Sequence, residues 1–278
     1  MRNRNIWLVV ALAGAAVWTQ AQWLNHAAPG TPRTRDGKTN LTAPAPRASN
    51  GKPDLSGVWE VEASSFAELS RLIPGGQNVL GEDVPSKYFI NILADFKSEE
   101  APVRAADAAL FRQRAEAFGK DYPVIRCLPA GVPNGDLVPE PHKIAQMPGL
   151  VVMLYENNTN FRQIFTDGRK LPDDPQPAWT GYSVGKWEGD ALVVDTAGFN
   201  DQGWLDAFGL THSDALHVTE RFHRRDFGHL EQQITIDDPK AYTRPFTIKV
   251  TQRLLPDTDL LENYCAENEK DRPPLVGK

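Results

Sequence analysis

From Gly149 to about Tyr264 apolar and polar residues alternate with a period of two, and short turn sequences interrupt the pattern at regular intervals. A period of two places successive side chains on opposite faces of a pleated ribbon, so this half of the chain is confined to half-buried strands. Strands are expected at Leu150–Glu156, Asn160–Thr166, Thr180–Glu188, Ala191–Thr196, Leu216–Arg224, His229–Ile236, Phe246–Leu254 and Asp259–Tyr264, together with a first strand around Trp59. Asp167-Gly168-Arg169, Glu188-Gly189-Asp190 and Asp226-Phe227-Gly228 supply turns. Gly189 can take the positive φ that a tight hairpin requires. The expected fold is mainly β: an antiparallel up-and-down barrel, or a strongly curved meander, of about eight strands. Closure removes the free edges, and a barrel of about that size can hold one small ligand.

The N-terminal half has a different character. Arg2 and Arg4 precede an apolar run from Ile6 to Val17, and small residues occupy the −3 and −1 places before Gln22. That is the pattern of a secretory signal peptide over residues 1–21, too short in its apolar part for the roughly 20 residues of a membrane span. Residues 22–50 are rich in Pro, Thr, Asn and Lys and read as an extended arm or linker. Within that region Asp36-Gly37-Lys38-Thr39-Asn40-Leu41-Thr42 is echoed 14 positions later by Asn50-Gly51-Lys52-Pro53-Asp54-Leu55-Ser56, read as two similar turns. Residues 51–278 form one barrel-like domain with a helical insertion at about 65–120. The insertion is clearest at Ala105–Phe118, where Ala109, Leu110, Phe111, Ala115 and Phe118 can share a stripe. Cys127–Pro148 is dense in Pro and Gly and reads as a long loop or set of turns.

Export implies an oxidising compartment, periplasmic or extracellular, where Cys127 and Cys265 are expected to pair. In the chain-entropy model such a bridge, closing a loop of about 140 residues, restrains the unfolded chain by about 5 kcal/mol. Lys and Arg number 30 against 36 Asp and Glu; without Arg2 and Arg4 the balance is 28 to 36, a net charge of −8. That balance argues against nucleic acid or an anionic membrane surface as partner, both of which require clustered basic residues.

A resemblance covers Pro53 to Lys278. It is carried by Gly57-Val58-Trp59, similar to the strand entry of lipocalin-like barrels, and by Arg126-Cys127-Leu128-Pro129, Phe165-Thr166-Asp167-Gly168-Arg169, Trp187-Glu188-Gly189-Asp190, Gly198-Phe199-Asn200-Asp201, His217-Val218-Thr219-Glu220-Arg221-Phe222 and Thr235-Ile236-Asp237-Asp238-Pro239. With these motifs the chain resembles a family of exported bacterial proteins, common in soil bacteria, whose function is unassigned. The resemblance implies export and a lipocalin-like barrel and carries no activity.

Strand parity marks the candidate chemistry. Glu220 shares a face with Leu216, Val218 and Phe222, so it is either buried against an arginine such as Arg162, Arg221 or Arg244, or held as a proton-transfer group of raised pKa. Asp195 follows the same reasoning on the Val193 face of its strand. The opposite face of the Glu220 strand carries His217, Thr219, Arg221 and His223. His212, Asp214 and His217 supply three groups that a divalent metal accepts, although their spacing matches no established metalloenzyme motif. Trp179, Trp187 and Trp204, with Tyr182, Asp201 and Asp206, crowd one short stretch. Indole faces bordered by carboxylates suit a sugar or phenolic ring, and Gly181, Ser183 and Gly185 would leave space beside Trp179 and Trp187; alternating large and small residues would equally suit a packed core.

No serine-hydrolase elbow, phosphate loop, Cys-x-x-Cys or dinucleotide fingerprint is present, and no cofactor is expected beyond a divalent metal. The leading expectation is an exported small-molecule-binding barrel for a sugar or phenolic compound. Alternatives are a cofactor-independent acid/base enzyme (lyase, isomerase or hydrolase) using Glu220 with His217 or His212 and an assisting Arg162 or Arg221, a metal-dependent enzyme using His212, Asp214 and His217, and a purely structural envelope protein.

Overall fold

The structure is a computed structural model that describes residues 26, 28–73 and 85–265. The expected signal peptide at 1–21 lies outside the described residues, as do residues 74–84 of the expected insertion.

Nine strands close into one barrel in sequence order. They are β1 (Gly57–Val61), β2 (His142–Met147), β3 (Leu150–Tyr155), β4 (Asn160–Phe165), β5 (Tyr182–Glu188), β6 (Ala191–Ala197), β7 (His217–Arg224), β8 (His229–Asp237) and β9 (Phe246–Leu254). The expected mainly β barrel is what the chain forms, with two corrections to its strand list.

First, the Pro/Gly-rich stretch 127–148 contains β2. Pro141 and Pro148 bracket a six-residue window free of proline and glycine, and its inward residues include His142 as well as Ile144, which disguises the alternation. Second, residues 259–264 form no strand, because β9 already pairs with β1 and leaves no edge to extend. The sheet is also not wholly antiparallel. Alternating directions cannot close a ring with an odd number of strands, so one neighbouring pair must run parallel. That pair is β4–β5, joined only at Ile164↔Ser183 and Phe165↔Val184.

Among the described residues three α-helices lie between β1 and β2: α1 (Phe66–Leu72), α2 (Lys87–Ile90) and α3 (Ala105–Glu116). Ser65 and Glu68 form a reciprocal capping box at the start of α1. In α3 the expected apolar stripe is not a buried face. Phe111 packs on the core, whereas Leu110 and Phe118 are exposed, since a helix built mainly of Ala, Arg and Gln covers the barrel without entering it.

The interior is stacked in layers. At the end we call lower, Leu55, Trp59, Ile144, Met153, Ile164, Leu192 and Phe222 form one apolar cluster. At the upper end Val218, Ile234, Ile236 and Ile248 pack with Val132 and Leu137 from the loop before β2, and with Ile92 and Leu205. Polar side chains lie between the two.

The arm is built into the lower end. Its two echoed segments are two equivalent turns, with isolated bridges Arg33↔Thr39 and Arg47↔Pro53 and matching bonds from Thr34 N to Lys38 O (2.8 Å) and from Ala48 N to Lys52 O (2.9 Å). Arg33 pairs with Asp257, and Arg47 with Asp190 across the β5–β6 turn. Leu41 and Leu55, at equivalent places in the two copies, pack into the lower cluster. At the other terminus residues 255–265 climb back along the barrel. Lys143 meets Asp259 there, Thr159 Oγ1 bonds Asn263 O, and Cys265 is disulfide-bonded to Cys127.

Candidate functional site: a buried ionic layer

The middle layer is assembled from seven strands, β3 to β9, and one loop. Arg162 on β4 and Glu220 on β7 both point inward and are essentially inaccessible to solvent. Their groups pair two-on-two: Nη1 lies 3.1 Å from Oε1, and Nη2 bonds Oε2. The guanidinium also donates from Nε to Ser183 Oγ (3.0 Å) and from Nη2 to Thr196 Oγ1 (2.8 Å). Asp136 enters from the loop before β2 and accepts from Tyr155 OH and from Gln232 Nε2, each at 2.7 Å. Gln232 Nε2 also bonds Glu220 Oε1 at 3.0 Å, so one amide bridges the two carboxylates. Gln252 Nε2 completes the layer with bonds to Asp136 O and Gln232 Oε1.

One guanidinium faces two carboxylates. Burial pushes the Glu220 carboxyl up, Arg162 pulls it down, and Asp136 pushes it up again, leaving it near about 7. Burial drives the Tyr155 hydroxyl well above its ordinary range. His142, also buried, sits 5.8 Å ring to ring from Tyr155, and burial pushes its imidazole down to about 4. Asn134 Oδ1, His142 Nε2 and Gln252 Oε1 are buried with no hydrogen-bond partner among the described residues.

The other residues singled out from sequence lie elsewhere. His217 points outward, 4.0 Å from Asp195 Oδ1, so it cannot serve Glu220 through the wall of the barrel. Asp195 is not buried, because the inward parity of β6 is that of Leu192, Val194 and Thr196. Arg221 also faces out and pairs with Glu188 at 3.3 Å. His212 is buried against Phe199, its Nδ1 3.0 Å from Ser213 O. Asp214 pairs on the surface with Lys240. His212, Asp214 and His217 therefore do not converge, and among the described residues no group of three or more His, Cys, Asp or Glu is placed to hold a metal ion.

The aromatic cluster is dispersed in the same way. Trp204 is buried under the Arg114 guanidinium, 4.3 Å from its ring centroid. Trp187 packs on the lower core, and Tyr182 stacks on Phe165. Trp179 is half-buried and Asp201 is exposed. The expected space beside the small residues is filled: a Cβ at Gly185 would meet Ile164, Leu192 and Thr166 at 3.1–3.2 Å, and one at Gly181 would meet Ala197 O at 2.8 Å. Asp206 is fully buried, but its work is local. Its oxygens accept from the backbone N–H groups of Ile92, Phe208, Gly209 and Leu210, while burial pushes its carboxyl up to about 6.

Sequence reading missed Asp136, Tyr155, Gln232, Gln252 and His142. Tyr155, Gln232 and Gln252 could have been found, because each falls on the inward parity of its strand. Asp136 carries no such signal, since a loop has no parity. No protein-family model matches the chain, and no curated protein matches it.

Proposed function

We propose that the protein is an exported small-molecule-binding barrel whose ligand bears hydroxyl groups, a sugar or phenolic compound, bound where the loop carrying Asn134 and Asp136 meets the ionic layer. The observation that carries this reading is the set of orphaned atoms beside a surplus carboxylate. Among the described residues Asn134 Oδ1 and Gln252 Oε1 are acceptors without a donor, and His142 Nε2 is also unpaired. Buried acceptors left unpaired are costly, and ligand hydroxyl groups are donors that would satisfy them. The void beneath this loop, lined by Gly131, Gly135 and Tyr155, is about 10 Å³, the room of a single water. The ligand therefore enters by displacing the loop. The disulfide is consistent with export, and no helix among the described residues is long and apolar enough to cross a membrane.

The test is a tryptophan-fluorescence titration across a panel of sugars and phenols. A saturable change that Gln252→Leu weakens at least tenfold supports the reading. Flat titrations throughout overturn it and assign the orphaned atoms to buried water.

A second reading, acid/base catalysis, is favoured by the two carboxyls that share one guanidinium. Asp136 replaces the histidines as the partner of Glu220. Turnover that follows a bell-shaped pH profile and disappears in Glu220→Gln would support it; a fully active Glu220→Gln variant would remove it.

A further inference from the structure

A separate site lies at the lower end of the barrel. A pocket of about 410 Å³ opens between the arm, the start of β1 and the turn after β9. Arg224, 3% exposed, lines it. Among the described residues every hydrogen bond of this guanidinium runs to a main-chain carbonyl. Nε donates to Asp226 O (3.3 Å), Nη1 to Asp54 O and Ser56 O, and Nη2 to Phe227 O. Its faces are covered by rings, with centroids 4.9 Å away for Trp59 and 5.3 Å for Phe227.

No carboxylate among the described residues lies within ion-pair distance of it. Asp54 and Asp226 are near enough to favour its charged form, but their carboxylates are engaged elsewhere. Asp54 Oδ1 caps Ser56 N, and Asp226 takes Gly228 N, His229 and Arg225. Burial lowers Arg224 only to about 10, so it stays cationic at neutral pH. A guanidinium has five N–H donors, and among the described residues Nη2 keeps one beyond its bond to Phe227. The pocket walls include Pro29, Pro46, Phe227 and Leu254, which are apolar, and the Lys143–Asp259 pair stands at the rim.

We propose that this pocket binds a small organic monocarboxylate with an apolar body. The carboxylate takes the free Nη2 donor and neutralises a buried cation that the described residues leave without a bonded anion. The apolar body lies against proline, leucine and phenylalanine. One free donor and apolar walls fit a single carboxylate better than a phosphate, which demands several donors.

The experiment is calorimetric titration of the whole mature chain with 4-phenylbutyrate and, as the uncharged control, 4-phenylbutanol. Saturable one-to-one binding of the acid, at least tenfold tighter than the alcohol, is the expected result. Arg224 ties the segment before β1 to the β7–β8 turn, so its replacement would disturb the fold. Ala28→Trp instead fills the pocket from an exposed wall position and is expected to weaken acid binding at least tenfold with an unchanged melting temperature. Equal affinity for acid and alcohol, no saturable binding of the acid, or acid binding unaltered by Ala28→Trp would each overturn the proposal.

Discussion

Arg162 and Glu220 form a two-on-two ion pair in the middle of the barrel although they sit on strands that are not neighbours, β4 and β7. Both charges are out of water, so the pair is a cross-brace whose worth depends on both partners being present. Removing one partner from such a pair typically costs about 3–5 kcal/mol, because the survivor is left buried and unpaired. Arg162→Met and Glu220→Met are each expected to lose stability on that scale. The double variant should lose clearly less than the sum. Urea unfolding of the four proteins measures the coupling, and strict additivity would show that the pair carries no interaction energy.

His142 gives the molecule an acid limit. Its folded-state pKa of about 4 lies below the ordinary 6.5, so the fold prefers the neutral ring. The stability it contributes is complete above pH 6.5 and is lost as the pH falls through 4, about 3 kcal/mol over the whole window. His142→Leu is expected to flatten the fall in melting temperature across that window. Glu220 and Asp206 act in the opposite sense, since both carboxyls are pushed up by burial. Their contribution is complete below the ordinary carboxyl range. It is lost as the pH rises through about 6 for Asp206 and about 7 for Glu220.

Cys127 precedes the loop that carries Asp136, and its partner Cys265 ends the segment that climbs back along the barrel. The bridge fastens that loop to the barrel wall. Replacing both cysteines by serine is expected to cost about 2–5 kcal/mol in denaturant unfolding. Hydrogen exchange should speed up first around residues 127–141.

Asp206→Ala would strand four backbone N–H groups in the core at once. Each unsatisfied donor costs about 1–3 kcal/mol, so a loss of at least about 3 kcal/mol is expected. Asp206→Asn, which keeps one oxygen acceptor, should recover part of it. A circular-dichroism melt of both variants checks the order.

Alternation along the chain determined β3 to β9 and the burial of Glu220, because a pleated ribbon can offer a core only every second side chain, but it put Asp195 on the wrong face of β6. The two cysteines likewise had one available pairing within the chain. What the tertiary structure decided was everything that depends on closing the ring. Strand β2, hidden between Pro141 and Pro148, brought the count to nine, and an odd ring forced a parallel pair. Closure set Arg162 opposite Glu220, and a loop with no periodicity of its own brought Asp136 between them. The same closure filled the space expected beside Trp187, because which side chains meet across a barrel depends on strand number and stagger, and a single strand records neither.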